Sequence, residues 1–453
     1  MTQSTPEFEH FLSLYNAIDK RKIPQLKSFM DRFAVNFNLY KENTFVERSF
    51  PFDMIPRIIP KAEFVQLERG LKQRVHALNL FLNDIYGEQK ILKEGIIPSE
   101  FVYSSKAYLP QFHGTKTAKN IRTHISGIDL VKNSANDRWT ILEDNLRVPS
   151  GASYPLSIRQ AYRKIFPEFF EEMQIEKIRY YPEELAKMMN YVSTGGINVV
   201  LTPGRYNSAF YEHSFLAKST QSVLATNQDL VVLGDKLYLK SFNGEHIQVG
   251  AMYRRLDDEF IDPLEFNPTS LIGVAGLANV YRAGNVALIN SIGNGIADDK
   301  GIYYFVPQMI RYYLGEEPLI DNAPTYLPYF EADRAYVLAN MEKLVIKDVA
   351  EAGGYGVLFG HKMSKAQIEE LKAMIIKEPR RFIAQELIEF YDIDCSFDAA
   401  TLTPRKSDLR CYVVHGEEIY VWPSGLTRYA LEEGNYLVNS SQGGGFKDTW
   451  IVG

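Results

Sequence analysis

At 453 residues the chain is roughly three times the ~150-residue scale of one domain, so it has several packed units with ample core. Hydrophobic residues at 45%, charged residues at 23%, 28 Tyr and 27 Phe are the composition of a folded chain and exclude intrinsic disorder. Fifty Lys and Arg against 56 Asp and Glu leave a formal charge of −6, opposite in sign to a phosphate-backbone footprint, which sets nucleic acid aside as a partner. Cys395 and Cys411 could close one bridge only and lie in no zinc-type spacing, so they read as buried thiols in a reducing compartment. The opening MTQSTPEFEHFLSLYNAIDKRK has no apolar h-region, and no apolar run approaches the ~18 residues of a bilayer span. The expectation is a cytoplasmic protein with no membrane contact.

In chain order, residues 1–118 read as mainly helical, because EFEHFLSLYNAI and LERGLKQRVHALNLFLNDIYGEQKIL repeat apolar residues at three- and four-residue steps. Pro51, Pro56 and Pro60 read as an irregular connection between them. Residues 119–190 begin with alternating strands, THISGIDLVKN and WTILEDNLRVPSG, joined by a turn at SANDR. Residues 191–270 start with a buried strand, GINVVLTPG, then a helix, NSAFYEHSFLAKST, then a meander, which is the texture of an open α/β unit. Residues 271–342 return to helix, with Pro307 dividing DDKGIYYFVPQMIRYYLG in two, and 343–453 are mixed.

Absences narrow the chemistry. No P-loop, HExxH or GxSxG string occurs, which removes the standard NTPase, zincin and hydrolase readings. Lys347 stands alone in the apolar strand Val345-Ile346-Lys347, shortly before Gly353-Gly354-Tyr355-Gly356. A strand-borne ammonium beside a glycine turn suits a polyphosphate, and a hairpin with a solvated lysine is the plain alternative. Ala384-Gln385-Glu386-Leu387-Ile388 ends a strand that could offer backbone groups to an adenine edge.

Glu143-Asp144-Asn145, with Asp129 on the adjacent strand, places Glu143 and Asn145 on one face and Asp144 on the other. Two carboxylates and an amide oxygen are hard ligands of the kind Mg²⁺ takes, although a solvated acidic turn fits the same string. Lys300 follows Asp298-Asp299 at a helix start, a poor place for a cation unless an anion is near. Arg255, in Tyr253-Arg254-Arg255-Leu256-Asp257-Asp258, belongs to an exposed salt-bridged edge or an anion clamp. Gly204, Tyr206, Asn207, Glu212 and His213 follow the carboxyl end of GINVVLTP, where open sheets bind ligands; His213 reads equally as a structural imidazole. Asn439 to Gly445 is a polar glycine-rich loop, a mobile tail or an anion cradle.

The strings LEDNLRVPSGASY, LTPGRYNSAFYEHSFLA, YRRLDDEFIDPLEF, RAGNVALINSIGNGIADDK, RYYLGEEP, IKDVAEAGGYGV and GLTRYALEEGNYLVNSSQGGGFKDTW closely resemble the circularly permuted ATP-grasp type 2 family. More distantly they are similar to the synthetase domain of glutathionylspermidine synthase. The resemblance implies an α+β, circularly permuted ATP-grasp fold with a Rossmann-like pre-ATP-grasp subdomain and an N-terminal helical region. It divides the chain into an N-terminal region 1–118, metal-binding strands 119–190, a pre-ATP-grasp-like unit 191–270, a helical connection 271–342 and a nucleotide-binding lobe 343–453.

The same resemblance implies ATP and Mg²⁺ as cofactors. Lys300 and Lys347 would hold phosphates, Glu351 with Gly353, Gly354, Tyr355 and Gly356 would cover the triphosphate, and Gln385, Glu386, Leu387 and Ile388 would form the adenine hinge. Asp129, Glu143 and Asn145 would bind Mg²⁺. The arginine that polarises an acyl phosphate stays open among Arg122, Arg147, Arg410 and Arg255, with Ser150, Asn207, Glu212 and His213 as candidate substrate contacts. The implied activity is a carboxylate–amine ligase working through an acyl phosphate; a phosphotransferase of the same fold and a nucleotide-binding scaffold without turnover are the alternatives. Its implied partners are a small-molecule or peptide carboxylate and an amine, with no nucleic acid, no membrane and no protein partner specified.

Overall fold

Alternating apolar residues along 125–145 supply the middle of the largest sheet. In the computed structural model, which describes residues 5–32, 36–41, 44–49, 51–349, 356–396, 401–436, 438 and 444–453, Ile125–Asn133 and Arg138–Asn145 pair antiparallel. Asp137, at φ 56°, turns the chain between them, and the Asn133 side chain accepts the Ala135 N–H at 2.9 Å. Asp and Asn suit such a turn because their short polar side chains bond the local backbone. Leu402–His415 pairs with the other side of Ile125–Asn133, placing Arg410 opposite Asp129. Leu426–Tyr429 and Gly445–Val452 follow, and Asp321–Asn322 lies at the opposite edge of this nine-stranded sheet.

The N-terminal region carries the helices Pro6–Ala17, Ile23–Arg32 and Lys61–Ile85, and strands as well, one of which forms the far edge of this sheet. Pro51, Pro56 and Pro60 do not mark an irregular connection, because Phe52–Pro60 is an edge strand parallel to Gly445–Val452. Pro56 falls in the register shift between the Lys447–Asp53 and Thr449–Arg57 pairs, and Pro60 is the last residue of the strand. A missing N–H costs little at either place. Asn36–Lys41 and Thr44–Ser49 form a further antiparallel pair.

Lys61–Ile85 is a 25-residue helix, about 37 Å long at 1.5 Å per residue, and it joins two cores. Phe64, Leu67, Leu71 and Val75 pack on Ile128, Leu130, Ile141 and Leu409 of the nine-stranded sheet. Leu78, Phe81, Leu82 and Ile85 enter the core of a six-stranded sheet instead. In that sheet Val223–Ala225, Ile197–Leu201, His246–Arg254 and Ala287–Ile289 are parallel neighbours in this order. Lys236–Lys240 and Leu230–Leu233 extend it antiparallel. Helix Phe210–Ser219 follows Ile197–Leu201, as the strand and helix patterns of that segment imply.

A four-stranded antiparallel sheet orders Thr325–Tyr326, Phe382–Glu386, Leu344–Asp348 and Val357–Phe359. Helix Lys365–Lys377 starts on a reciprocal Ser364–Gln367 cap and sets Ile368, Leu371 and Ile375 against Leu344, Ile346, Phe382 and Ala384. The expected lobe 343–453 therefore divides, since Asp392–Ser396 and every described strand after it join the nine-stranded sheet. Nor is 271–342 wholly helical: Ala287–Ile289, Asp321–Asn322 and Thr325–Tyr326 each join a different sheet. Pro307 does divide Lys300–Tyr303 from Val306–Leu314, sitting in the first turn of the latter, where its absent N–H has no intrahelical partner to lose. Both cysteines are free and buried. Among the described residues no helix is long and apolar enough to cross a membrane.

One buried ion pair fastens the long helix to the hairpin. Arg74 Nε and Nη2 donate to Asp144 Oδ1 and Oδ2 at 2.7 and 2.6 Å, and Arg74 Nη1 donates to Asn322 Oδ1 at 2.8 Å. Both side chains of the pair are 1% exposed, so removing one partner strands a charge in the core. Arg74→Ala is expected to destabilise the protein by about 3–5 kcal/mol, read as a lower urea midpoint, with part of the loss recovered when Asp144→Ala is added. An unchanged midpoint would show that the pair does not fasten the helix.

Candidate active site

The site is built on the antiparallel register that sets Asp129 opposite Glu143 and Gly127 opposite Asn145. Two-residue alternation turns Glu143 and Asn145 to one face and sends Asp144 to Arg74 on the other. The Asn145 amide donates to Gly127 O at 3.2 Å and lies 3.5 Å from Asp129 Oδ2.

Asp129 is buried and held by two arginines. Arg410 forks onto it, Nε to Oδ1 at 2.6 Å and Nη2 to Oδ2 at 2.8 Å, while Arg428 Nη2 reaches Oδ2 at 2.9 Å. Burial alone would raise the Asp129 pKa; Arg410 and Arg428 more than offset this and hold it at about 2. Arg428 is itself neutralised by Asp408, through Nε at 3.0 Å to Oδ1 and a shorter bond from Nη2 to Oδ2. Gly127 makes room for the fork, since a Cβ there would stand 2.9 Å from Pro149 Cβ and 3.3 Å from Arg410 Cδ.

Cations from distant segments meet these acids. Lys300 opens the helix Lys300–Tyr303, and its Nζ is 3.5 Å from Glu143 Oε1, the nearby anion that makes an ammonium tolerable at a helix start. Asp299 caps that helix by accepting the Gly301 N–H at 2.8 Å, and its other oxygen takes Ser105 Oγ at 2.6 Å and Arg380 Nη2 at 2.7 Å. Lys347 lies on Leu344–Asp348, on the side of its sheet away from Ile346 and the helix Lys365–Lys377. Burial lowers its pKa to about 8, Glu143 and Asp129 pull it up, and Lys300 pushes it down, so these charges share one field.

Gln385 pairs across strands with Val345 and with Thr325, and its buried side chain donates to Thr325 Oγ1 at 3.0 Å. Glu386 is exposed and accepts Tyr326 OH at 2.8 Å. Leu387 is half-buried, and Ile388 packs with Val131, Ala323 and Phe390. Glu351, Gly353, Gly354 and Tyr355 lie outside the described residues, as do Asn439 to Gly443; Gly356, at φ 74°, accepts the Asp348 N–H at 3.3 Å.

Other candidates stand apart from the acids or are sealed in. Arg147 is committed to Asp298, Nε to Oδ2 at 2.8 Å, with Asp257 at 3.7 Å. Burial raises the Asp298 carboxyl to about 6 against the pull of Arg147. Arg122 donates to Thr115 O at 2.6 Å and Asn83 Oδ1 at 3.2 Å.

Arg254 and Arg255 form no exposed edge, because both are buried. Arg255 donates to Glu212 at 2.9 Å, Tyr253 OH at 2.7 Å, Ser150 Oγ at 2.5 Å and Pro149 O at 3.0 Å. The other Glu212 oxygen accepts from the N–H groups of Gly151 at 2.7 Å and Ser153 at 3.1 Å. Expected as substrate contacts, Glu212 and His213 are each 1% exposed and present no surface to a substrate. Glu212 holds the 149–153 turn, and His213 Nδ1 meets Thr202 Oγ1 at 2.8 Å, with burial lowering its pKa to about 2. Asn207 accepts the Ala209 N–H at 2.9 Å in the loop after Ile197–Leu201. Ser150 joins the two clusters, its carbonyl accepting Tyr412 OH at 2.7 Å and Arg410 Nη1 at 3.4 Å.

Sequence reasoning missed Arg428 and Asp408. The available signal is a lone arginine in the otherwise apolar or hydroxylic strand Leu426–Tyr429, all four residues of which are buried; a charge there demands a partner.

The donor chemistry fits a hard divalent cation. No group of three or more His, Cys, Asp or Glu among the described residues is placed to hold a metal, so the set consists of two carboxylates completed by the Asn145 amide oxygen. Asp129 stays ionised at neutral pH, and the Glu143 side chain is 33% exposed. Coordination through Asp129 meets competition, since arginines occupy both its oxygens.

Residues 56–430 match the family described as circularly permuted ATP-grasp type 2. The chain is 47% identical over 424 residues to an uncharacterized protein of Synechocystis sp., covering 92% of this chain and 88% of that one. It is 42% identical over 431 residues to an uncharacterized protein of Mycobacterium tuberculosis, covering 94% and 77%. With a protein of Frankia casuarinae named "Putative glutamate--cysteine ligase 2-2" it shares 37% identity over 417 residues, covering 89% of this chain and 47% of that one, so it spans about half of the Frankia protein. Among solved structures, a glutathione synthetase-like effector from Globodera pallida in its apo form aligns with a TM-score of 0.57 at 10% identity, covering 95% of this chain and 96% of that one. That likeness concerns the fold. The family match over residues 56–430, more than half of the chain, leads to one assignment: the chain belongs to the circularly permuted ATP-grasp type 2 family.

Proposed function

We propose that the protein is an ATP- and Mg²⁺-dependent carboxylate–amine ligase that forms an amide or peptide-like bond on a small molecule or peptide. The observation that carries this reading is the meeting of Glu143 with Lys300 at 3.5 Å, in the same field as Asp129 and Lys347. A polyphosphate needs such a mixture, ammonium groups for its own charge and hard oxygens for its cation. The name of the Frankia relative supports an amino-acid-type acid and amine. In this reading the six-stranded sheet is the Rossmann-like, pre-ATP-grasp part, and the four-stranded sheet carries the nucleotide.

Lys300 and Lys347 offset phosphate charge, the backbone of Gln385–Ile388 receives the adenine edge, and the glycine segment ending at Gly356 covers the triphosphate and excludes water. Glu143, Asn145 and Asp129 would hold the cation, which supplies charge neutralisation on the transferring phosphoryl group. A substrate carboxylate oxygen attacks the γ-phosphorus in line, the bond to the β-phosphate oxygen breaks and ADP leaves. The amine nitrogen then attacks the acyl carbon of the acyl phosphate, inorganic phosphate departs, and the amine loses a proton. Positioning and electrostatics account for the catalysis, so each charged contact matters.

The test is ADP release from Mg-ATP with pools of acids and amines that include glutamate and cysteine. Lys347→Ala and Glu143→Gln are expected to lower the acid- and amine-dependent release by about 10²-fold or more with the thermal unfolding transition kept. Undiminished turnover in either variant overturns the assignment, and nucleotide binding without ADP from any pool favours a scaffold.

The Lys347 pKa sets a second expectation. Lowered to about 8 by burial, the ammonium is charged at pH 7 and lost as pH rises through that value, so the form that attracts phosphate prevails below it. Affinity for a nonhydrolysable ATP analogue, followed by calorimetry, should fall by up to about fivefold between pH 8 and 9, and Lys347→Arg should flatten the profile.

A further inference from the structure

Asp129 presents an inconsistency that the ligase reading leaves standing: the carboxylate assigned to the cation is already held by two guanidinium groups. Its Oδ1 accepts Arg410 Nε at 2.6 Å, and its Oδ2 accepts Arg410 Nη2 at 2.8 Å and Arg428 Nη2 at 2.9 Å, with Asn145 Nδ2 at 3.5 Å. A carboxylate offers about four lone-pair sites, so a divalent ion on the Glu143 side competes with these donors for the lone pairs. It also repels their charge at contact distance.

The two arginines are not equally able to leave. Arg428 has a second carboxylate, Asp408, which takes both its Nε and Nη2, and its side chain is 8% exposed. For Arg410, Asp129 is the carboxylate within ion-pair distance among the described residues, and its side chain is 14% exposed. Its remaining acceptor is the Ser150 carbonyl at 3.4 Å from Nη1, in the turn that Arg255 and Glu212 hold rigid. Gly127 opposes the Arg410 stem with no side chain, the nearest contact of a hypothetical Cβ being Pro149 Cβ at 2.9 Å.

We infer that Arg410 is a cation-released arginine. When a divalent ion takes the oxygens of Asp129, Glu143 and Asn145, Arg410 gives up Asp129 while Arg428 stays on Asp408. The freed fork then faces the Ser150 turn as an unpaired cation, which selects an anionic acid substrate and couples its binding to prior loading of the cation. This inference rests on the ligase reading for the identity of the ion site. It distinguishes among the arginine candidates, because Arg147 and Arg255 keep carboxylate partners of their own, Asp298 and Glu212.

The experiment is Mn²⁺ binding to the nucleotide-free 453-residue chain, followed by the EPR signal of the free ion. Arg410→Met removes the competitor and is expected to tighten Mn²⁺ binding by about tenfold, within the range that groups around metal ligands exert. Arg410→Lys, which keeps a charge but loses the fork, should give a smaller gain. Arg428→Met, which frees one contact of Asp129 Oδ2 but leaves the Arg410 fork in place, should give a smaller gain than Arg410→Met. A gain in affinity is not what a damaged fold produces. Equal or weaker binding in both Arg410 variants overturns the release of Arg410 and makes it a fixed support of Asp129. Failure of the wild-type protein and every variant to bind either Mn²⁺ or nucleotide would overturn the ligase reading itself.

Discussion

The cross-strand pair of Asp129 and Glu143 sets where every other charged group of the site stands. Because neighbours in an antiparallel ladder share a face, these two carboxylates lie side by side, and like charges so placed repel unless cations come between or beside them. Lys300 serves Glu143 and the arginines serve Asp129. The surrounding fold can be read as the means of delivering those cations to one small area.

Delivery to Asp129 follows a checkerboard across neighbouring strands. Arg410 is directly opposite Asp129, Asp408 is directly opposite Arg428, and Asp408 and Arg410 are two residues apart on one strand and so share its face. Each charge thus has opposite charges next to it in the sheet. A buried ion pair contributes little net stability, because desolvation consumes most of its Coulomb gain. Retaining four such groups is better explained by a requirement for an ionised carboxylate at Asp129 than by stability. The Arg74–Asp144 pair on the opposite face does different work, tying the sheet to the helix Lys61–Ile85 and hence to the second core.

What was legible in the sequence follows from the range of the interactions. Period-two alternation alone predicts that Glu143 and Asn145 face away from Asp144, and the structure places Asp144 on Arg74. The oddity of a lone ammonium at a helix start singles out Lys300, and its anion is Glu143. A local pattern marks Arg428 only as a lone charge in a buried strand; its partners Asp408 and Asp129 are fixed by the register between strands, which no local pattern encodes. The prolines near residue 56 mislead for the same reason, since a register shift that tolerates them is a property of the strand pair. His213 and Glu212 stand at the carboxyl end of a parallel strand, the expected place for a ligand, yet both are buried, Glu212 supporting the 149–153 turn and His213 held on Thr202.

Chain order in a permuted fold need not disturb such a site. Asp129 and Glu143 come first in the sequence, Lys300 and Lys347 later, and the arginines last, yet the contacts of Asp129 with the arginines depend on strand adjacency, and Lys300 reaches Glu143 from a helix. Closing the long loop between Asp129 and Arg410 costs entropy that grows only as the logarithm of its length, so moving a chain break from one surface turn to another changes that cost little. The ladder bonds and the paired charges are the same in either order. What a permutation must preserve is the neighbour relation of Ile125–Asn133, Arg138–Asn145, Leu402–His415 and Leu426–Tyr429, and these strands, taken from opposite ends of the chain, hold the acids and both arginines on one face.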